Sequence, residues 1–115
     1  MERKTNDIDE KMIANNLDPA FITHPGEVIK DEIGSRGISQ RKLAKEIGVS
    51  YSQLNEVLNG KRPVSTELAL LIEAALDIPS APLLTLQTRY DLLSAKRNKT
   101  FLNRLKGIRK IAAAL

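Results

Sequence analysis

The side chains of this sequence that could do chemistry are mostly cations and amides between residues 36 and 62. This stretch contains six basic residues and two acidic ones, namely Arg36, Arg41, Lys42, Lys45, Lys61 and Arg62 against Glu46 and Glu56. Lys61 and Arg62 follow the turn signal Asn59-Gly60, and Pro63 prevents a helix from continuing beyond them. Cations placed where a chain leaves a helix commonly bind backbone phosphate, although a solvated basic loop is the alternative interpretation. The predicted chemistry is therefore reversible binding of a nucleic acid.

Residue groupings that would support catalysis or metal binding do not occur in the sequence. It contains no H-E-x-x-H motif, no glycine-rich phosphate loop and no nucleophile with a plausible base. There is no cysteine, and the single histidine, His24, has no second histidine with which to hold a metal. We therefore expect no enzymatic activity, no metal and no cofactor, and we expect His24 to act at the entry of a helix.

Residues 40–59 are predicted to form two short helices joined by a tight turn. Leu43 with Ile47, and Leu54 with Leu58, are four residues apart, so each pair makes an apolar stripe on one helix face. The other positions that fit the unit are Ala44 and Val57, facing inward, and Gly48 and Val49, at the turn. This is the helix-turn-helix pattern, whose second helix enters the major groove of DNA. An ordinary helical hairpin in a bundle is the alternative.

The starts of these two helices carry the residues that helix capping requires. Ser39 can cap the first helix and Ser50 the second, and Ser50 with Gln53 makes the capping box S-x-x-Q. Gly48 can adopt the left-handed backbone that ends a helix abruptly. Two capped helices around a glycine turn favour the helix-turn-helix over the plain hairpin.

Three further helices are predicted around this unit, at residues 23–37, 65–77 and 83–95, the last after a turn at 78–82. The positions expected to face the core are Val28, Ile29 and Ile33 in the first, and Leu68, Leu71, Ile72, Ala75 and Leu76 in the second. The apolar positions of the third cover more than one face, which is typical of a helix that packs on a core and on a partner. The predicted fold class is all-α.

The two ends of the chain differ from the middle in charge. Residues 1–20 hold five acidic and three basic side chains, with a possible short helix around Ile8, Met12 and Ile13. Residues 96–115 hold seven basic side chains and no acidic one, on an apolar stripe that includes Phe101 and Ile108. Such a basic amphipathic helix suits a membrane surface, nucleic acid, a partner's groove or packing on its own domain, and the sequence leaves these open.

Three segments resemble the HigA antitoxins of type II toxin–antitoxin modules. They are HPGEVIKDEI at 24–33, the central unit with NGKR at 59–62, and LQTRYDLL at 86–93. The resemblance covers about residues 24–95 and implies a five-helix repressor-like helix-turn-helix domain that dimerises. We accordingly divide the chain into an N-terminal arm at 1–22, this domain at 23–95 and a basic C-terminal helical tail at 96–115, and the tail is not part of the family pattern. The resemblance further implies that the chain binds its own operator and neutralises HigB, an RNase that cleaves mRNA on ribosomes.

The resemblance also implies roles for individual residues. Gln40 matches a glutamine that clamps the DNA backbone. The matching base-facing positions are Tyr51, Ser52, Asn55 and Glu56, and the matching phosphate contacts are Asn59, Lys61 and Arg62. Gln53 is expected to cap more than to read bases, and Arg41 completes the predicted DNA-binding set. The chain departs from the family at Pro82, Leu83 and Leu84, where many relatives carry bulky aromatics, so the implied dimer packing does not transfer directly.

Two other functional interpretations stay open from the sequence. One is a free-standing transcriptional regulator of the phage-repressor type without a toxin partner. The other is an interaction protein that inhibits an RNase and has lost useful DNA binding. The expected partners under the first interpretation are double-stranded operator DNA, a HigB-like toxin and a second copy of the chain. The absence of a membrane-length apolar run or a signal peptide predicts a cytoplasmic protein.

Overall fold

The computed structural model describes residues 23–115, and these residues form six α-helices and no strand. In chain order the helices are α1 (Pro25–Arg36), α2 (Gln40–Ile47), α3 (Tyr51–Leu58), α4 (Thr66–Leu76), α5 (Ser80–Arg97) and α6 (Lys99–Ala112). The all-α prediction and the helix-turn-helix at α2 and α3 are confirmed. The short helix predicted around Ile8, Met12 and Ile13 lies outside the described residues.

The turn between α2 and α3 forms for the reasons that the sequence gives. The Ser39 hydroxyl accepts a hydrogen bond from the Lys42 backbone N–H at 3.1 Å, and Ser50 accepts one from the Gln53 N–H at the same distance. Gly48 has a φ of +74°, in the left-handed region where only glycine is free of strain. Side-chain caps of this kind each stabilise a helix start by about 0.5–2 kcal/mol.

The core consists of aliphatic side chains drawn from all of the first five helices and from the segment before α4. Its buried members are Ile29, Ile33, Leu43, Ala44, Leu54, Val57, Leu58, Val64, Leu68, Ala69, Ile72, Leu76 and Leu83. Three inward predictions are wrong, because Val28, Leu71 and Ala75 are exposed. On α4 the buried stripe runs through residues 68, 69, 72 and 76, so Ala69 is fully buried and Leu71 and Ala75 lie outside the stripe.

The fifth helix is longer than predicted at both ends. It begins at Ser80, because the Glu73 carboxylate accepts a hydrogen bond from the Ser80 backbone N–H at 3.0 Å and so caps the helix start. Pro82 then lies in the first turn, where its missing N–H costs no intrahelical hydrogen bond. The helix ends at Arg97, so the predicted division between residues 95 and 96 falls inside it.

The described chain belongs to two compact units, one of Thr23–Arg89 and one that contains Tyr90–Leu115. In the second unit, Asn98 caps α6 by accepting a hydrogen bond from the Phe101 N–H at 3.1 Å. Leu102 and Leu105 on α6 are half-buried, whereas Phe101 and the more C-terminal apolar side chains of the predicted stripe are exposed. Among residues 23–115, no helix is long and apolar enough to cross a bilayer.

Candidate nucleic-acid interface

The first turn of α3 presents the polar side chains that the sequence predicted for DNA contact. Leu54, Val57 and Leu58 are buried on one face of this helix. Ser52 and Glu56 lie opposite this face, Ser52 exposed and Glu56 half-buried, and Asn55 is half-buried at its border. Tyr51, at the start of the helix, and Gln53, at the other border, are exposed as well. An exposed hydroxyl and amide surface at the N-terminal end of a short helix is the arrangement that reads base edges in the major groove.

Arg41 and Tyr51 join α2 to α3 through a stacked pair. The Arg41 guanidinium carbon lies 4.3 Å from the centroid of the Tyr51 ring. Such a cation–π contact at an exposed site contributes about 0.5–1 kcal/mol. The pair therefore holds a cation and a phenol together at the N-terminal ends of the two helices, where both predicted contacts lie side by side.

Four polar side chains form a continuous series of hydrogen bonds from α1 to α2, which we call the amide chain. The Lys30 ammonium donates to Asn59 Oδ1 at 3.1 Å, and Asn59 Nδ2 donates to Asn55 Oδ1 at 3.2 Å. Asn55 Nδ2 in turn donates to Gln40 Oε1 at 2.9 Å. The structure thus brings together three predicted site residues, Gln40, Asn55 and Asn59, and adds Lys30, which sequence reasoning missed.

Asn55 is held at both ends of its amide by this series. Its Nδ2 bonds to Gln40 and its Oδ1 accepts from Asn59, so one N–H and one lone pair are left for a base. Its orientation is therefore fixed before any DNA arrives, which lowers the side-chain entropy lost on binding. The same argument does not extend to Ser52, whose exposed hydroxyl is free to rotate.

Glu56 and Arg62 form an ion pair at the exit of α3. The Arg62 guanidinium lies 3.2 Å from the Glu56 carboxylate, and the two side chains are 46% and 41% exposed. Exposed pairs of this kind contribute about 0–1 kcal/mol, so Arg62 can exchange the carboxylate for a phosphate at small cost. Lys61 is also exposed, at the same exit. The predicted phosphate contacts at this exit are accessible.

The entry of α1 packs directly against the end of α3. His24 is 3% exposed, and its Nδ1 accepts a hydrogen bond from the Gly26 N–H at 2.9 Å, which makes it the cap of α1 and confirms its predicted place at a helix entry. A Cβ at Gly26 would overlap the Val57 carbonyl oxygen, so only glycine fits there. The HPGE sequence therefore builds the surface against which the last turn of α3 rests.

A buried glutamine holds the segment after α3 through a hydrogen bond. Gln87 on α5 is 7% exposed, and its Oε1 accepts a hydrogen bond from the Val64 backbone N–H at 2.8 Å. Sequence reasoning did not assign this role, although Gln87 lies four residues after the buried Leu83 and hence on the same helix face. The glutamine of LQTRYDLL thus fixes the chain just beyond Lys61 and Arg62.

Comparisons with known proteins agree with this geometry. A helix-turn-helix family model matches residues 29–83. Virulence-associated protein I of Dichelobacter nodosus is 33% identical over 81 residues, which are 70% of this chain and 75% of that protein. The solved antitoxin GraA has a TM-score of 0.66 and 31% identity, covering 75% of this chain and 91% of that one.

A further solved relative carries DNA. The Pseudomonas aeruginosa antitoxin HigA with its higBA promoter has a TM-score of 0.61 and 29% identity, covering 64% of this chain and 82% of that one. The chain belongs to the helix-turn-helix family that includes the HigA antitoxins. Members of this HigA-type family are DNA-binding regulators and antitoxins, and the resemblance to the HigA antitoxins that the sequence predicted is confirmed.

The two terminal motifs of the HigA resemblance converge on one segment of the structure. HPGE and LQTRYDLL are far apart in sequence, yet His24, Gly26 and Gln87 all contact the stretch between Val57 and Val64. That stretch carries the exit of α3 and its cations.

Among the described residues, no group of three or more His, Cys, Asp or Glu side chains is placed to hold a metal ion.

Proposed function

We propose that this chain is an antitoxin that binds and represses its own operator and neutralises a HigB-like mRNA-cleaving toxin. The observation that carries the DNA-binding part is the exposed first turn of α3, with Tyr51, Ser52 and Gln53 outside and the core behind it. The toxin part rests on family membership, since antitoxins recur among the solved relatives.

The geometry supports base contacts by one group of side chains of the interface and phosphate contacts by another. Tyr51, Ser52 and Asn55 would contact base edges in the major groove, because Tyr51 and Ser52 are exposed in the first turn of α3 and Asn55 is half-buried one turn further on. Lys61 and Arg62 would contact phosphates, which fixes register and contributes a salt-dependent free energy that is the same for every sequence. Gln40 would donate a side-chain N–H to a phosphate of the DNA backbone, since its Oε1 already accepts a hydrogen bond from Asn55.

We further propose that the chain binds DNA as a homodimer. Leu83 and Gln87 on α5 are buried, whereas Leu92 near its end is 54% exposed, so this helix has apolar surface left for a second copy. A two-fold dimer would place its two α3 helices in successive major grooves and would require half-sites about 34 Å apart, or a multiple of this, on a near-palindromic operator.

The charge pattern supports different binding partners for the two ends of the chain, the toxin for one end and DNA for the other. An RNase should present a basic surface that attracts phosphate, which an acidic segment complements and a strongly basic one repels. Residues 1–20 carry five acidic and three basic side chains, and residues 96–115 carry seven basic ones and no acidic one. We therefore assign toxin contact to the arm and DNA support to the tail.

The DNA-binding part is tested by fluorescence anisotropy with the full chain. The probe is a duplex from immediately upstream of its own gene, compared with a scrambled duplex of equal length at salt concentrations of about 50 to 200 mM. We expect binding to the upstream duplex to be at least about a thousandfold tighter than binding to the scrambled one. In a footprinting experiment on the upstream duplex, the protected bases should be arranged with two-fold symmetry. Equal affinity for both duplexes at every salt concentration would contradict operator binding.

The toxin part is tested by adding the product of the neighbouring gene. We expect it to co-purify with this chain and to cleave mRNA only when the chain is absent. Deletion of residues 1–20 should abolish this protection, whereas deletion of residues 98–115 should leave it intact. Loss of protection after the second deletion alone would reverse the assignment of the two ends. A neighbouring gene product that neither binds nor cleaves mRNA would favour the free-standing regulator.

A further inference from the structure

We propose that Lys30, on α1 and outside the helix-turn-helix unit, is a positioning residue for DNA that acts through the amide chain on Gln40. The inference rests on the proposed DNA binding, because it assigns the orientation of one group at that interface. Lys30 lies ten residues before Gln40 in the sequence and on a different helix, and the two are joined through Asn59 and Asn55.

The amide chain has a direction because lysine can only donate hydrogen bonds. The Lys30 ammonium turns the Asn59 oxygen towards itself, at 3.1 Å, so the Asn59 nitrogen must face Asn55. The Asn55 oxygen accepts there, so its nitrogen must face Gln40, at 2.9 Å. The Gln40 oxygen is thereby used within the protein, and its Nε2 is the end of the side chain that remains for a ligand.

This direction matters because a phosphate group offers only acceptors. An outward Nε2 donates to a phosphate oxygen, whereas an outward Oε1 would face it with a lone pair and repel it. A free glutamine samples both orientations and must be ordered on binding. The amide chain selects the donor orientation in advance, which reduces the ordering cost of the contact.

Two further observations fit this role. Asn59 Nδ2 also donates to the Asn55 backbone oxygen at 3.0 Å, which favours the same amide orientation as Lys30 does. Lys30 and Gln40 also line one shallow depression between α1 and α2, together with Asp31, Ile33, Gly34 and Ile38. Lys30 therefore lies beside the glutamine that it orients, on the same part of the surface.

The first test is a double-mutant cycle on the full chain bound to its upstream duplex. Lys30→Met removes the donor, Gln40→Ala removes the orienting target, and Lys42→Met is the control, because Lys42 is likewise an exposed cation and lies outside the amide chain. Lys30→Met should weaken binding about three- to tenfold more than Lys42→Met does. In the Gln40→Ala background this excess should disappear, and Lys30→Arg, which is also a pure donor, should restore binding to within about twofold.

The opposite results would overturn the proposal. An equal loss of affinity from Lys30→Met with and without Gln40 would mean that Lys30 acts by its charge alone. Equal losses of affinity from Lys30→Met and Lys42→Met would mean the same. Lys30 is exposed, so its replacement leaves the core intact and these outcomes remain measurable.

A second test uses the protein without DNA. The side-chain amide signals of Gln40 and Asn55 in a ¹⁵N–¹H spectrum should shift in Lys30→Met and stay in place in Lys42→Met. Unchanged signals in Lys30→Met would contradict the amide chain itself. Because this measurement needs no operator, it still decides the inference if the upstream duplex is not bound, a result that would contradict only the proposed function.

Discussion

Replacing Gly26 with Ala should destabilise the fold at the point where α1 meets the end of α3. The new Cβ would overlap the Val57 carbonyl oxygen and would lie 2.9 Å from the Val57 carbonyl carbon and 3.0 Å from His24 Nδ1. Two of these three atoms are backbone, so neither can move as a side chain would. Overpacking of this kind costs about 1–3 kcal/mol, and one helix must shift away from the other.

Gly34 provides a matched control on the same helix. A Cβ at Gly34 would meet nothing within 4 Å, and alanine favours a helix interior over glycine by about 1 kcal/mol. Gly34→Ala should therefore raise the melting temperature and Gly26→Ala should lower it. For a domain of this size each kcal/mol corresponds to about 4–8 °C in a thermal melt followed by circular dichroism. Equal or stabilising effects of both substitutions would refute the close approach at Gly26.

Two further predictions concern Gln87 and the basic tail. Gln87→Leu should leave the buried Val64 N–H without its acceptor and lower the free energy of unfolding in urea by about 1–3 kcal/mol; a decrease below about 0.5 kcal/mol would show that water replaces the glutamine. Truncation after Arg97 removes five cations of α6. It should reduce the slope of log affinity against log salt concentration by at least about one, without changing the preference for the operator. An unchanged slope would exclude a contribution of the tail to DNA binding.

The elements of the helix-turn-helix were predictable because their signals are local. Ser39, Ser50 and Gly48 act on backbone groups within a few residues, and the stripe through Leu54 and Leu58 follows from helix geometry alone. The start of α5 was not predictable in the same way. Its cap is Glu73, seven residues before Ser80 on the preceding helix, and nothing in the sequence around Pro82 indicates that contact.

The residues of the candidate site also differ in whether the sequence could predict them. The exposed position of Ser52 follows from the apolar stripe of α3, whereas Tyr51 was predicted from the resemblance to the HigA antitoxins. Lys30 could not be predicted, because its contact with Asn59 joins residues 29 positions apart and depends on how α1 crosses the end of α3. The burial of Ala69 and the exposure of Ala75 are a similar case, since the rotation of α4 about its axis is set by packing and not by its own pattern.

The central claim is that the outer face of α3 reads DNA sequence. The most direct measurement is the ratio of affinities for the upstream and scrambled duplexes, determined for the wild-type chain and for a Tyr51→Ala, Ser52→Ala double variant. Both side chains are exposed, so the variant should fold, which a thermal melt verifies. A Lys61→Ala, Arg62→Ala double variant serves as the comparison, because phosphate contacts do not distinguish sequences.

We predict that the Tyr51 and Ser52 variant binds the upstream duplex about 1–3 kcal/mol more weakly and the scrambled duplex almost as well as before, so that the affinity ratio falls. The Lys61 and Arg62 variant should weaken both duplexes alike and reduce the salt slope by about one for each phosphate that is no longer neutralised. A folded Tyr51 and Ser52 variant that keeps the wild-type affinity ratio would contradict the claim that α3 is the reading helix.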